Sequence, residues 1–132
     1  MKTFSMNIRV YYKDTDAGGV VYYTRYAEFM EMARTEMLRS LGMSAQNLID
    51  DYGVICPVVE LTVKYKKPAR YDDIVTVVIT VTEAQQLKLQ SSYELFNQHK
   101  ELLCTAGTTN VGVDSQTFKL KKFPPEFLAL FN

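Results

Sequence analysis

The alternation of apolar and polar positions divides the chain into a strand, a long helix, a short helix and a run of strands. Residues 6 to 12, MNIRVYY, alternate and carry β-formers, which predicts a strand. DTDAGG follows as a turn. TRYAEFMEMARTEMLRSLG then predicts an amphipathic helix of about five turns. Tyr26, Phe29, Met30, Ala33, Met37 and Leu41 recur on one face of it at spacings of three and four. Thr24 is placed to cap its start and Gly42 to end it. Ser44 is placed to cap a second helix, AQNLIDDY, which Gly53 closes.

The rest of the chain reads as sheet. In VVELTVKY, Val59, Leu61, Val63 and Tyr65 share a face. IVTVVITV is nearly all β-branched and is predicted to be an interior strand. LKLQSSYELF and ELLCTAGTTNVGVD follow as strands, the latter expected to bend near Gly107. KLKKFPPEF ends the chain, with Pro124 and Pro125 blocking a continued ladder. Short connections favour antiparallel neighbours. The resulting fold class is α+β: a curved antiparallel sheet of about five strands wrapped around one long central helix. The sheet's open edges predict pairing with a second copy.

Length and charge narrow the classes. A chain of 132 residues suits one domain, 1–132. Lys+Arg and Asp+Glu are both 15, a balance that argues against a general nucleic-acid binder. The first residues carry no apolar stretch of the secretory kind, and no run is long enough to span a bilayer. Cys56 and Cys104 fall in apolar, strand-like runs, so they read as reduced core thiols of a cytoplasmic protein. Two cysteines and one histidine give no basis for a structural zinc site.

The candidate chemistry sits in DTDAGGVVYY, residues 14 to 23. Asp14 and Asp16 lie beside Gly18 and Gly19, where a backbone free of Cβ lets a ligand approach. A helix N-terminus follows, with free N–H groups and the positive end of the dipole. Such an end can polarise a carbonyl and hold the oxyanion formed on attack. A carboxylate facing that carbonyl can attack it or activate water. The same residue types also make an ordinary turn and helix cap. His99, the only histidine, lies in the turn NQHK and reads as solvated.

RVYYKDTDAGGVVYYTRYAEFMEMARTEML closely resembles the N-terminal motif of the hotdog-fold acyl-CoA thioesterases. It looks like the branch that contains 4-hydroxybenzoyl-CoA thioesterase and the bacterial Tol-Pal-associated thioesterases. VVELTVKYKKPARYDDIVTV resembles the family's second and third strands with their K-P-A-R-x-D-D turn, so the resemblance covers nearly the whole chain. It implies a hotdog thioesterase acting on an acyl-CoA or an acyl-carrier-protein thioester. The family's catalytic carboxylate falls on Asp16, and Asp14 falls on a structural position. Its carbonyl-polarising backbone N–H falls on Tyr23, and its motif glycine falls on Gly19. Many Tol-Pal-associated members carry His where Tyr23 stands, which removes an imidazole role but not the backbone donor. Tyr22 is a candidate for the acyl pocket, and Lys66 and Arg70 for coenzyme A phosphates.

The resemblance further implies a site at the interface of a homodimer, with a homotetramer permitted. It implies no metal or redox cofactor, coenzyme A being part of the substrate. A non-hydrolytic acyl-thioester or carrier-protein binder is the alternative. A hotdog hydratase, which needs an Asp/His pair, ranks below both.

Overall fold

The computed structural model describes residues 2–132. Five strands form one antiparallel sheet in the order β1-β4-β5-β6-β3. They are β1 Lys2–Arg9, β3 Val58–Tyr65, β4 Ile74–Ala84, β5 Lys88–Phe96 and β6 Leu102–Val111. A two-stranded pairing joins β2 Val54–Ile55 to β7 Val113–Asp114. The helices are α1 Arg25–Ser40, α2 Ala45–Tyr52 and α3 Pro125–Ala129. Among the described residues, no helix is long and apolar enough to cross a membrane.

The β-branched run 74–81 lies inside the sheet, paired with β1 on one side and β5 on the other. Its alternate residues Val75, Val77, Ile79 and Val81 are buried, as the pleat requires of a strand with one covered face. Tyr26, Phe29, Met30, Ala33 and Met37 of α1 are buried with them, and α1 contacts β4 and β1. α1 has 16 residues and is set chiefly against that half of the sheet; the five-stranded antiparallel sheet is as expected, whereas the long central helix is not confirmed.

Several local expectations shift. The first strand spans Lys2–Arg9 rather than 6 to 12. Beyond it Val10 N–H donates to Asp73 O and the Asp14 carboxylate takes the Tyr11 N–H, so Tyr12–Asp14 coils into a 3-10 turn. Thr24 does not cap α1 with its side chain: its backbone is already helical (φ −73°, ψ −19°). Gly42 does act at the C-terminus, at φ +90°, with Met43 N–H returning to Leu38 O. Ser44 caps α2 by accepting from Asn47 N–H at 3.1 Å, and Gly53 closes it at φ +64°.

The bend expected at Gly107 is absent, since Gly107 pairs regularly with Thr62 and Ser92. The break falls at Gly112, between β6 and β7, where a Cβ would collide with the Lys121 carbonyl. After it, the Pro-Pro pair stops the sheet but starts a helix. Pro125 is the first residue of α3, where its fixed φ suits the first turn and its missing N–H is not needed. Phe123, Phe127 and Phe131 pack ring on ring and are buried.

The edge strand β3 carries its apolar residues into solvent. Val58, Val59, Leu61 and Tyr65 are exposed, and only Val63 packs against the core. A register shift between Val58 and Glu60 disturbs the alternation at its start.

Candidate active site

The loop between the 3-10 turn and α1 folds back on itself. Thr15 bridges Val21, and Asp16 N–H donates to Val20 O at 2.9 Å. Gly19 sits at φ +79° and returns its N–H to Asp16 O at 3.0 Å, a geometry that favours glycine. Gly18 adopts no positive φ, but a Cβ there would lie 3.1 Å from Asp16 Oδ1.

The two acids have different surroundings. Asp14 is buried, accepts the Tyr11 N–H at 2.9 Å, and lies 3.9 Å from Arg25 Nε. Its backbone carbonyl takes the Tyr22 N–H at 2.9 Å. Asp14 therefore holds the loop's two ends together. Asp16 is exposed, and one carboxylate oxygen accepts the Gly18 N–H at 2.8 Å.

The start of α1 stands beside this loop. Arg25 N–H donates to Tyr22 O and Ala27 N–H to Thr24 O. Among the described residues, the Tyr23 and Thr24 N–H groups have no acceptor. Two adjacent donors immediately before α1 are thus free, near the positive end of its dipole. The Tyr22 hydroxyl has its pKa raised, first by a hydrogen bond with the Tyr23 side chain and that ring's charge, and in smaller part by burial and the Asp16 carboxylate. The two rings meet at 4.8 Å. Asp16, Gly19, Tyr22 and Tyr23 are therefore neighbours in space as well as in sequence.

The second motif is fastened to the first. Val21 N–H donates to Ala69 O at 2.8 Å, Val20 bridges Arg70, and Ala69 N–H donates to the buried Tyr26 hydroxyl at 3.0 Å. Tyr12 stacks on Tyr71 at 3.9 Å. Arg70 is thereby brought to the Asp16 loop. Lys66 sits just past the end of β3, its N–H held by Leu103 O. Both side chains are exposed, and neither forms an ion pair among the described residues. Lys67, between them in sequence, is paired with Glu101 at 2.6 Å.

The remaining candidates are quiet. Cys56 and Cys104 are free thiols, pushed up to about 12 and about 11 by burial, so both stay protonated near neutrality. His99 is exposed in its turn, with its N–H on Asn97 Oδ1. No cluster of three or more metal-ligating side chains occurs among the described residues. Tyr65 was not singled out for the site by sequence. Its hydroxyl donates to Tyr23 O at 2.9 Å, and no local pattern announces a contact 42 residues apart.

The family model described as the thioesterase-like superfamily matches residues 10–131. The acyl-CoA thioester hydrolase YbgC of Escherichia coli O6:H1 is 39% identical over 128 residues, covering 97% of this chain and 95% of that protein. The acyl-CoA thioesterase YbgC of Haemophilus influenzae is 38% identical over 130 residues, covering 98% and 94%. Among solved structures, a DHNA-CoA thioesterase from Staphylococcus aureus superposes with a TM-score of 0.92 at 31% identity, covering 99% of this chain and 89% of that one. With the two motifs joined through Val20 and Val21 to Ala69 and Arg70 beside a five-stranded antiparallel sheet, the chain belongs to the thioesterase-like superfamily, as a thioesterase of the hotdog fold.

Proposed function

We propose that the chain hydrolyses acyl-CoA thioesters to a free acid and coenzyme A. One observation carries the reading: the exposed Asp16 carboxylate stands beside a helix start whose Tyr23 N–H has no internal acceptor among the described residues. The Tyr23 N–H polarises the thioester carbonyl and holds the developing oxyanion. Asp16 acts as nucleophile or as general base. In the first route its carboxylate attacks the carbonyl carbon and the C–S bond breaks. The thiolate leaves and takes a proton, and water hydrolyses the mixed anhydride. In the second, Asp16 takes a proton from the attacking water.

Gly19 gives the loop its turn, Tyr22 lines the acyl side, and Lys66 and Arg70 meet the phosphates of coenzyme A. The site is open to water in one chain. A second copy, in a homodimer or a pair of dimers, closes it and lowers the local dielectric. In this reading the whole chain works as one domain in the cytoplasm, with the sheet curving around α1. It needs no metal or redox cofactor, and a carrier-protein thioester is an alternative substrate.

A second reading rests on the Gly18 N–H held by Asp16 Oδ1, which suits a turn cap in a protein that binds thioesters without cleaving them. Thiol release from short, long and aromatic acyl-CoAs, with Asp16→Asn alongside the wild type, separates the two. The hydrolase reading expects the folded variant to lose about a hundredfold or more in rate. Equal rates make Asp16 a turn residue. Tight binding of a CoA thioether with no turnover of any acyl-CoA establishes the second reading.

A further inference from the structure

Away from the Asp16 loop, a cavity of about 340 Å³ opens between α1, α2, α3 and the sheet. That is within the range of small-molecule sites. None of the residues placed in the thioester site lines it. Leu48, Ile79, Leu89 and Phe127 give it apolar walls. Glu31, Arg34, Thr35, Ser91 and Asn110 add polar side chains to the lining, and of these Arg34 and Asn110 have hydrogen-bonding capacity left unused.

Asn110 is 4% exposed, and its amide nitrogen donates to Cys56 O at 2.7 Å, which fixes which way the amide points. Its Oδ1 is buried with no hydrogen-bond partner among the described residues. A buried acceptor left unmade is unfavourable, and such groups in native proteins usually answer to something. Arg34 enters the cavity from α1. One of its five N–H donors goes to the Tyr93 hydroxyl at 3.1 Å, and that hydroxyl also shares a 2.7 Å bond with Thr108. Among the described residues Arg34 has no carboxylate partner: Glu31, one turn away, accepts from Thr35 instead. Arg34, Asn110 and the thiol-bearing Cys56 all line this one cavity. That thiol is held protonated at about 12 and is no nucleophile.

We propose that this cavity binds an apolar molecule through a hydroxyl group, which donates to Asn110 Oδ1 and accepts from the Arg34 guanidinium. The choice of group follows from the pair. A carboxylate satisfies Arg34 but sets lone pairs against Oδ1. An ether accepts without donating, and an ammonium faces a guanidinium. A hydroxyl does both jobs with one atom. The hydroxyl belongs to a free alcohol or to a hydroxylated acyl group of the thioester, and the second source rests on the hydrolase reading.

Isothermal titration of the full chain with 1-octanol, 1-methoxyoctane and octanoate tests this. The expected result is one site per chain, with 1-octanol at least tenfold tighter than the ether or the acid. Asn110→Leu erases the preference for alcohol over ether. Arg34→Met weakens alcohol and ether alike and keeps that preference. Equal affinities in the wild type, or a preference that survives Asn110→Leu, overturn the proposal. If Asn110→Leu does not fold, the wild-type amide spectrum decides. The Asn110 side-chain signals shift with 1-octanol and not with the ether, and no shift overturns it.

Hydrolysis of 8-hydroxyoctanoyl-CoA against octanoyl-CoA identifies the source. A wild-type preference for the hydroxylated thioester that Asn110→Leu loses assigns the cavity to the acyl group. Equal rates beside intact octanol binding assign it to a free alcohol. If neither thioester is cleaved the hydrolase reading fails, while the octanol titration still judges the cavity.

Discussion

The Tyr65 hydroxyl donates to the Tyr23 carbonyl at 2.9 Å, fastening the end of edge strand β3 to the start of α1. Tyr65 also meets the Tyr26 ring edge-on at 5.4 Å. One strand residue thus fixes the residue whose N–H is proposed to polarise the substrate. Tyr65→Phe keeps the ring contact and removes the hydrogen bond. The expected loss of stability is about 1 kcal/mol or less. The larger expected effect is on kcat, about tenfold for 1.4 kcal/mol of lost orientation, with KM little changed. Unchanged kcat in steady-state assays removes Tyr65 from the machinery.

Asp14 and Asp16 are two residues apart and should answer differently to substitution. Asp14 is 5% exposed and ties Tyr11 N–H to the loop, so Asp14→Ala removes a part-buried, charge-assisted hydrogen bond and the contact with Arg25. Thermal and urea unfolding should show a loss of about 1–3 kcal/mol. Asp16→Asn keeps an oxygen for the Gly18 N–H at an exposed site and should lie within about 0.5 kcal/mol of wild type. A large destabilisation by Asp16→Asn makes it a structural residue, and its activity loss then carries no mechanistic weight.

Gly107 and Gly112 sit five positions apart around the break in the last long strand. A Cβ at Gly107 meets Thr62 Oγ1 at 3.4 Å and Ser91 O at 3.7 Å, near ordinary contact. At Gly112 it runs into the Lys121 backbone, which cannot swing aside as a side-chain tip can. Gly112→Ala should destabilise by about 1–3 kcal/mol or more, and Gly107→Ala by clearly less. Equal denaturant midpoints for the two variants contradict the close approach.

The cysteines predict an alkaline effect. Burial raises both thiols above the ordinary 9.0, Cys56 to about 12 and Cys104 to about 11. A raised pKa means that the unfolded chain loses its thiol protons first. The thiols' contribution to stability is therefore whole below pH 9.0 and lost as pH rises towards 11 to 12. Native protein at pH 8 should react slowly with an aromatic disulfide reagent, whereas the urea-unfolded chain should react at both thiols at once. Fast reaction of the native state at Cys56 shows that the thiol is not buried as described.

Much of this was legible from periodicity. The β-branched run at 74–81 and the apolar stripe of α1 each fix a buried face by local spacing alone, and α2 follows from Ser44 and Gly53. What failed was long-range. The first strand ends at Arg9 because Asp73 O captures Val10 N–H, and the break at Gly112 reflects the approach of Lys121. Neither partner is marked in the local pattern. The site divides the same way. Asp16, Gly19 and Tyr23 lie in one readable turn, but the docking of Ala69 and Arg70 onto Val20 and Val21 is a tertiary fact, and so is the bond from Tyr65. α3 is hidden in the local pattern because Pro-Pro marks the end of a strand and equally suits a first helical turn.

The exposure of β3 leads to the last prediction. β3 is an edge strand with Val59 60% and Leu61 44% exposed, and its open side presents unpaired backbone groups. The other edge, β1, keeps Thr3, Ser5 and Asn7 among its residues and pairs only with β4. An apolar edge that also carries Tyr65, the anchor of the Tyr23 carbonyl, couples assembly to the site. If a second copy adds to β3, then Leu61→Lys places a charge against its counterpart in the partner. It should shift sedimentation from dimer to monomer, and hydrolysis should fall with it. Thermal stability at high protein concentration should fall as well, because subunit association stabilises only the folded form. Raising the variant's concentration should restore activity in step with the dimer fraction. A Leu61→Lys protein that sediments as a monomer and hydrolyses at the wild-type rate shows that one chain holds the complete site. It would also leave the Tyr65 bond, rather than a partner, to orient the Tyr23 residue.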